Sequence, residues 1–456
     1  VWKYPYFPDD NGAHMDRKAL SLPILISLVV GNMIGTGIYV LPASLAEYGT
    51  ISLLSWIYTS IGAIFLALTF GSLNKRFPKT GGPYVYCKEA YGHMAGFIIA
   101  YTYWISNMVS IAGIAVASVG YLGFITPILN ANTPAYNQYV ALGCELGIVW
   151  LFALVNIIGI HTAGVVQLFL TIIKITPLII VSLIGLGSLH VANLTQFTTG
   201  HESTFTAISS AAALTFWAFI GLESATVPAE NTKGSRDIYK ATVFGTLATC
   251  FIYVFSSFVI MGMIPVSELK SSQFPFAQAG TMLFGSYAAI LIALCAFISG
   301  LGALNVCTLI QGQIVFAAAR DHLFPHIFAK LSRHDVPVAG QILSVSLVSL
   351  FLILSIEPTL LKQFNNIALL AALLTLVTYF ATTLSELKFI IQSGTFTIKS
   401  IFSGSMLIAL LAAVYSIWMI SSFETSIISV GVILILLCIP VYFLVIRKYA
   451  EADNRN

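Results

Sequence analysis

Charge is what this sequence has little of. Only 9% of its 456 residues are Asp, Glu, Lys or Arg, and 58% are hydrophobic. A water-soluble domain carries roughly 25% charged residues, so a soluble globular fold is excluded. No linker or low-complexity stretch divides the chain, which leaves a single membrane domain. Lipid cannot hydrogen-bond exposed backbone, so only helices or a closed barrel can span it. The apolar runs match the roughly 20 residues of a spanning helix and are far too long for barrel strands. Paired aspartates at metal spacing, a His-rich cluster and a nucleophile motif are all missing. That argues against an enzyme and leaves no metal, cofactor or nucleic acid to expect. The six cysteines, Cys87, Cys144, Cys250, Cys295, Cys307 and Cys438, offer no pair in an outer loop, so no disulfide is expected.

What the chain does have is about twelve apolar runs. They cover 20–46, 51–74, 92–124, 138–160, 163–189, 205–227, 239–264, 285–318, 338–356, 364–387, 401–421 and 425–447. The first continues past any signal-peptide length. The stretch Val1–His14 is polar and aromatic, and Met15 reads like a natural start. Of the 21 Lys and Arg, Lys270 and Lys362 fall in odd-numbered connections and Lys174 inside a span; the rest fall in the tails and even-numbered connections. Short basic loops stay in the cytoplasm. Both tails, 1–19 and 448–456, are therefore expected inside, around a transmembrane domain at 20–447.

Two spans carry the same interruption. The first reads Ile34-Gly35 and then Leu41-Pro42-Ala43; the sixth reads Ile220-Gly221 and then Val227-Pro228-Ala229. Gly to Pro is seven residues in both. Matched Gly/Pro interruptions in corresponding spans point to an internal repeat with a site at its interface. Two ordinary kinks are the plainer alternative.

Gly31-Asn32-Met33-Ile34-Gly35-Thr36-Gly37 holds three glycines in seven residues. Each costs a helix about 1 kcal/mol relative to alanine, so unwinding is favoured. The freed N–H groups of Gly35, Thr36 and Gly37 would then stand at the positive end of a half-helix, suited to a carboxylate. Close helix packing explains Gly35 and Gly37 equally well. In the sixth span, carbonyls released before Gly221 suit an ammonium group. Trp217 and Phe219 are candidates for a wall or gate, although either ring alone is equally a packing residue.

Three ionisable residues within the spans stand out. Glu223 is in mid-membrane, where a carboxylate is costly and usually functional. Lys174 lies about eleven residues into the fifth span, hence ~16 Å deep. That is too deep to snorkel comfortably, and such a lysine can gain or lose a proton in use. A structural tether is its bland alternative. Glu145, in the outer half of the fourth span, is balanced between a water-facing and a functional residue.

With these residues the sequence resembles the amino acid–polyamine–organocation transporters, in particular their basic amino acid/polyamine antiporter branch. The motifs are Gly31 to Gly37, Gly81-Gly82-Pro83-Tyr84-Val85-Tyr86, Trp217 to Ser224, and Asp321-His322-Leu323-Phe324-Pro325. The resemblance implies an all-α, LeuT-like five-plus-five inverted repeat (20–189 and 205–387) with helices 1 and 6 broken, plus two helices at 401–447. It implies backbone at Thr36 and Gly37 for a carboxylate, and carbonyls of Met33, Trp217 and Ile220 for the α-ammonium. Asn32, Ile34, Gly35 and Phe219 belong to the same site. Tyr103 and Trp217 would gate, Glu223 would link gating to protons, and Ser106 and Asn107 would lie near the substrate side chain. Three positions depart from the arginine/agmatine pattern: Cys307 replaces a stacking tryptophan, Ile111 an asparagine and Ala371 a serine. Lys174 resembles a lysine of other branches whose amine takes the place of a sodium ion.

The expectation is a sodium-independent transporter of amino acids or related amines in a bacterial inner membrane, working by alternating access as an amino acid/polyamine antiporter. Proton-coupled symport of small neutral amino acids is the alternative, and a proton-translocating subunit of a redox pump a remote one. Expected partners are the substrate, membrane lipid, protons as a coupling ion and a second copy in a homodimer.

Overall fold

The computed structural model describes residues 20–443, except 158–159, 196–202, 233, 333–335, 358 and 393–403. The tails 1–19 and 448–456, with Met15, lie outside the described residues.

A backbone without water must satisfy its own polar groups, and the apolar runs do so as helices. The first run divides into α1 (Leu22–Met33) and α2 (Gly37–Ala46). α3 (Ser52–Arg76) follows, ending in Lys75 and Arg76, where positive charge suits the helix dipole. Then come α4 (Pro83–Tyr91), α5 (His93–Leu122), α6 (Gln138–Ile157), α7 (Ile160–Gly185) and the short α8 (Val191–Leu194). The second half has α9 (Thr204–Trp217), α10 (Ser235–Met263), the short α11 (Val266–Leu269), α12 (Pro275–Phe284), α13 (Ser286–Arg320), α14 (Val338–Leu354) and α15 (Leu360–Gln392). α16 (Gly404–Ser421) and α17 (Thr425–Leu436) are the last of the described helices.

Among the described residues ten helical segments are long and apolar enough to cross a membrane. The shorter apolar α14 and the interrupted sixth run bring the architecture to twelve. The sixth run is regular helix only as far as Trp217; residues 218–228 continue as turns. Gly221 sits there at φ 105°, a conformation other residues rarely adopt.

The two halves pack as inverted copies. α1 lies against α7 and α10, while its counterpart α9 lies against α15 and α3. α5 packs on α13 and α15; its counterpart α13 packs on α5 and α7. Exchanging the halves turns each of these contacts into another of the set.

Hydropathy does not reveal α4 and α12, which occupy equivalent places. Each begins at a proline and ends at a positive-φ glycine, Gly92 (φ 88°) or Gly285 (φ 83°), that leads directly into a long helix. α4 rests on α5 and α15 near the loops rich in Lys and Arg, hereafter the basic face. α12 rests on α13 and α7 at the opposite face.

Candidate substrate site

The gap between α1 and α2 is Ile34 to Thr36. Within it the Gly35 N–H donates to the Met33 carbonyl at 3.1 Å, and the Ile34 N–H to Val30 at 2.8 Å. α2 then starts at Gly37, where its first N–H groups have no intrahelical acceptor.

Lys174 of α7 points into this gap and is fully buried. Its Nζ donates to the carbonyls of Gly31 at 2.6 Å and Ile34 at 2.8 Å, and lies 3.5 Å from that of Ser299 on α13. The Ser299 hydroxyl donates to the Gly35 carbonyl at 2.9 Å. Carbonyls that lost helical partners at the break thus receive an ammonium group. Among the described residues no carboxylate takes part, so the charge is met by backbone dipoles.

The second break is held by hydroxyls and an amide. Asn32 donates to Ser224 at 2.7 Å, and Ser224 to the Gly221 carbonyl at 2.5 Å. A Cβ on Gly221 would fall 2.6 Å from the Asn32 amide nitrogen, so the two broken segments meet here at glycine distance. Tyr253 of α10 donates to the Ala218 carbonyl at 3.0 Å and also bonds the Met33 carbonyl, joining both breaks. Met33's carbonyl therefore already has two donors. Glu223 accepts from Tyr103 at 2.6 Å and from Tyr379 of α15.

Between the breaks lies a cavity of ≈ 20 Å³ lined by Asn32, Met33, Gly35, Ser110, Ile114, Trp217, Ile220 and Cys307. That is room for one or two waters and not for an amino acid. Trp217 closes it on the side away from the basic face. Its ring covers Gly37, where a Cβ would lie 1.9 Å from the indole, and meets Phe364 edge-on at 5.0 Å. Beyond Phe364 is a second cavity, lined by Val40, Val116, Gly120, Tyr121 and Gln273 among others. One aromatic pair separates the two. The Trp217 indole N–H has no hydrogen-bond partner among the described residues.

Toward the basic face the closure is thicker. Below the Glu223 cluster, the Gly81 N–H donates to the Val227 carbonyl at 3.0 Å. Arg320 forks onto Glu230 at 2.7 and 3.0 Å. Lys88 pairs with Asp321 at 2.7 Å, and Tyr84 donates to Asp321 at 3.3 Å. Burial pushes the Glu230 carboxyl up, but Arg320 and the Thr80 N–H and hydroxyl outweigh it and hold the group below the usual carboxylate range.

The residues singled out from sequence fall into three places. Asn32, Met33, Gly35, Trp217, Ile220 and Cys307 line the cavity; Cys307 also directs its thiol to the side-chain amide oxygen of Asn32 at 3.0 Å. Thr36, Gly37, Tyr103, Asn107, Lys174 and Glu223 form its surround, Thr36 facing Ser118 at 3.4 Å. Asn107 bonds the Cys307 carbonyl at 2.9 Å and the Gln311 side chain. Two lie aside: Ser106 donates to its own helix at the Tyr103 carbonyl, 2.9 Å, and the Phe219 ring packs on Trp56 and Tyr253. Glu145 is buried in α6, away from both breaks. Sequence reasoning missed Ser110, Ile114, Tyr253, Ser299, Gln311, Phe364 and Tyr379. They are ordinary helix residues, and only helix packing brings them to the site.

The comparisons with known proteins agree with this architecture. A family model described as amino acid permease matches residues 20–450. The putrescine transporter PotE of Escherichia coli (strain K12) is 31% identical over 360 residues, covering 78% of this chain and 80% of that protein. The putative arginine/ornithine antiporter of Bacillus subtilis (strain 168) is 28% identical over 425 residues, covering 87% and 90%. The cadaverine/lysine antiporter of Escherichia coli (strain K12) is 29% identical over 387 residues, covering 82% and 84%. A match along nearly the whole chain, joined to two broken helices around a central cavity, identifies a multi-pass membrane transporter rather than an enzyme: the chain belongs to the amino acid permease family.

Proposed function

We propose that this protein exchanges amino acids or related amines across a bacterial inner membrane without sodium, by alternating access. Both termini face the cytoplasm. The domain at 20–447 divides into repeats at 20–189 and 205–387 and two further helices at 401–447.

The observation that carries sodium independence is the Lys174 ammonium within 2.6 to 3.5 Å of three carbonyls from α1, the break and α13. Backbone carbonyls in an unwound segment otherwise suit a dissociable cation. Here the cation is covalently part of the protein. The substrate carboxylate goes to the α2 N-terminus at Thr36 and Gly37, and its ammonium to the carbonyls around Trp217 and Ile220. Trp217 and Tyr103 gate, and Glu223 links gating to protons. In the closed conformation described, Trp217 stands over Gly37, so substrate entry requires the indole to leave.

Supporting exchange of this type, the relatives named above are transporters or antiporters of putrescine, arginine/ornithine and cadaverine/lysine. A second reading, proton-coupled symport of small neutral amino acids, is favoured by the cavity wall. Cys307 stands there, no carboxylate lines it, and Glu223 is already engaged by two tyrosines. Uptake of labelled amino acids and diamines into proteoliposomes separates the two. Exchange needs internal substrate and no sodium; symport fills empty vesicles when a proton gradient is imposed. Uptake that requires sodium would overturn both readings.

A further inference from the structure

A further membrane carboxylate, besides Glu145 and Glu223, lies on α15, the helix whose Tyr379 serves Glu223. Glu386 of α15 is only 2% exposed. It stands seven residues beyond Tyr379, about 10 Å further along the helix toward the basic face. Ser72 of α3 donates to its Oε1 at 2.7 Å. Its Oε2 has no hydrogen-bond partner among the described residues, and neither has the hydroxyl of Tyr86 on α4. Tyr86 is itself fully buried and close enough to feel the Glu386 charge. It lies beside Thr226, whose hydroxyl donates to the Glu223 carbonyl at 2.7 Å.

The other groups that face this corner are few. Arg76 of α3 is near enough to act on Glu386, but its guanidinium lies over the Phe389 ring at 5.4 Å. Lys388, on the same helix as Glu386, is turned to the Ala90 carbonyl at 2.6 Å. Cys87 of α4 meets Ser385 at 3.5 Å. Tyr103 of α5 is committed to Glu223, and Tyr415 of α16 packs on Phe216. No cation pairs with Glu386 within ion-pair distance among the described residues. A buried carboxylate with one free oxygen, one hydroxyl donor and no ion pair is suited to hold a proton rather than a fixed charge.

We propose that Glu386 is a second proton-binding carboxylate of the transport cycle, standing between Glu223 and the basic face. A proton from water at that face neutralises the Glu386 carboxylate. It passes by way of the Tyr86 and Thr226 hydroxyls to the Glu223 carboxylate, which becomes neutral as the Glu386 carboxylate is restored. This rests on the reading of Glu223 as the proton-linked group, and the test separates the two.

The test is an infrared titration of the purified protein, paired with transport in proteoliposomes over a pH series. Glu386→Gln should remove one titrating carboxyl band and shift the midpoint of the pH–rate profile by about one pH unit or more. Glu223→Gln should remove a different band; if it removes none while Glu386→Gln does, the Glu223 reading fails and the Glu386 site stands. Ser72→Ala, which keeps the carboxylate, should move the Glu386 band without deleting it and so guards against a folding effect of the Gln variant. An unchanged set of carboxyl bands in Glu386→Gln, or an unshifted pH–rate profile, overturns the proposal.

Discussion

The two broken helices use the same Gly-to-Pro spacing, yet they are held in opposite ways. At the first break one ammonium, Lys174 of α7, gathers carbonyls from α1, the gap and α13. At the second, hydroxyls from α10 and α15 and the Asn32 amide share the work. α7 and α15 are equivalent helices of the two halves, and each brings a different polar residue, Lys174 or Tyr379, to the break it packs against. One break is organised by a fixed charge and concentrates its stability in a single side chain. The other is organised by neutral donors around Glu223 and can re-form its bonds in more than one arrangement. The first is suited to be a fixed floor for the substrate, the second to be the part that switches.

Four variants sharpen or break that contrast. The largest expected effect is at Lys174. Lys174→Ala leaves several buried carbonyls without their donor and is expected to abolish transport or uncouple it, with membrane insertion intact. Wild-type rates in proteoliposomes, with unchanged pH dependence, would sink this idea. Next is Gly37→Ala. The added Cβ would lie 1.9 Å from the Trp217 ring, so the indole must shift, and transport should fall by about tenfold or more, the scale of a misplaced positioning group. Tryptophan fluorescence should report the displaced ring; an unaltered spectrum and rate would show that Trp217 does not depend on Gly37.

A smaller change is expected from Glu223→Gln. The amide still accepts from one tyrosine but turns a donor toward the other. Substrate affinity should move less than the pH–rate profile, and a profile that stays put counts against a proton-linked role. The smallest effect concerns the Arg320–Glu230 pair, whose side chains are 45% and 40% exposed. Glu230→Gln should cost under about 1 kcal/mol, because solvent screens such a pair. Glu230 is held below its ordinary value in the folded protein. Its stabilising contribution is therefore complete above that ordinary value and is lost as pH falls through the lower folded value. Thermal unfolding of wild type and variant should converge in that acidic window.

What could be read from the sequence was whatever is unusual in its immediate surroundings. Gly31 to Gly37 stands out because three glycines interrupt an apolar run, and Lys174 because a charge there is expensive. Both features break a local rule, and a single sequence displays such breaks. Tyr253, Tyr379 and Phe364 break none. An aromatic residue in a membrane helix is commonplace, and its meaning depends on which helix faces it. The register of α10 and α15 against the breaks is set by the packing of the whole bundle. α4 and α12 were hidden for another reason. They are too short and too polar on one side for a hydropathy window, although Pro83 to Gly92 and Pro275 to Gly285 punctuate them plainly. The wall of the cavity was half legible: Cys307 drew notice, whereas Ser110 and Ile114, on α5, did not.

Those two short helices have a mechanical consequence. α4 is joined to α5 at Gly92 and lies on α15; α12 is joined to α13 at Gly285 and lies on α7. Each half of the molecule thus keeps one foot on the other, at opposite faces. A tilt of one half against the other that lifts the first foot must press down the second. On the proposed alternating access, opening the pathway at one end would then brace the other end shut, and leverage would add to the strength of either seal against a continuous leak.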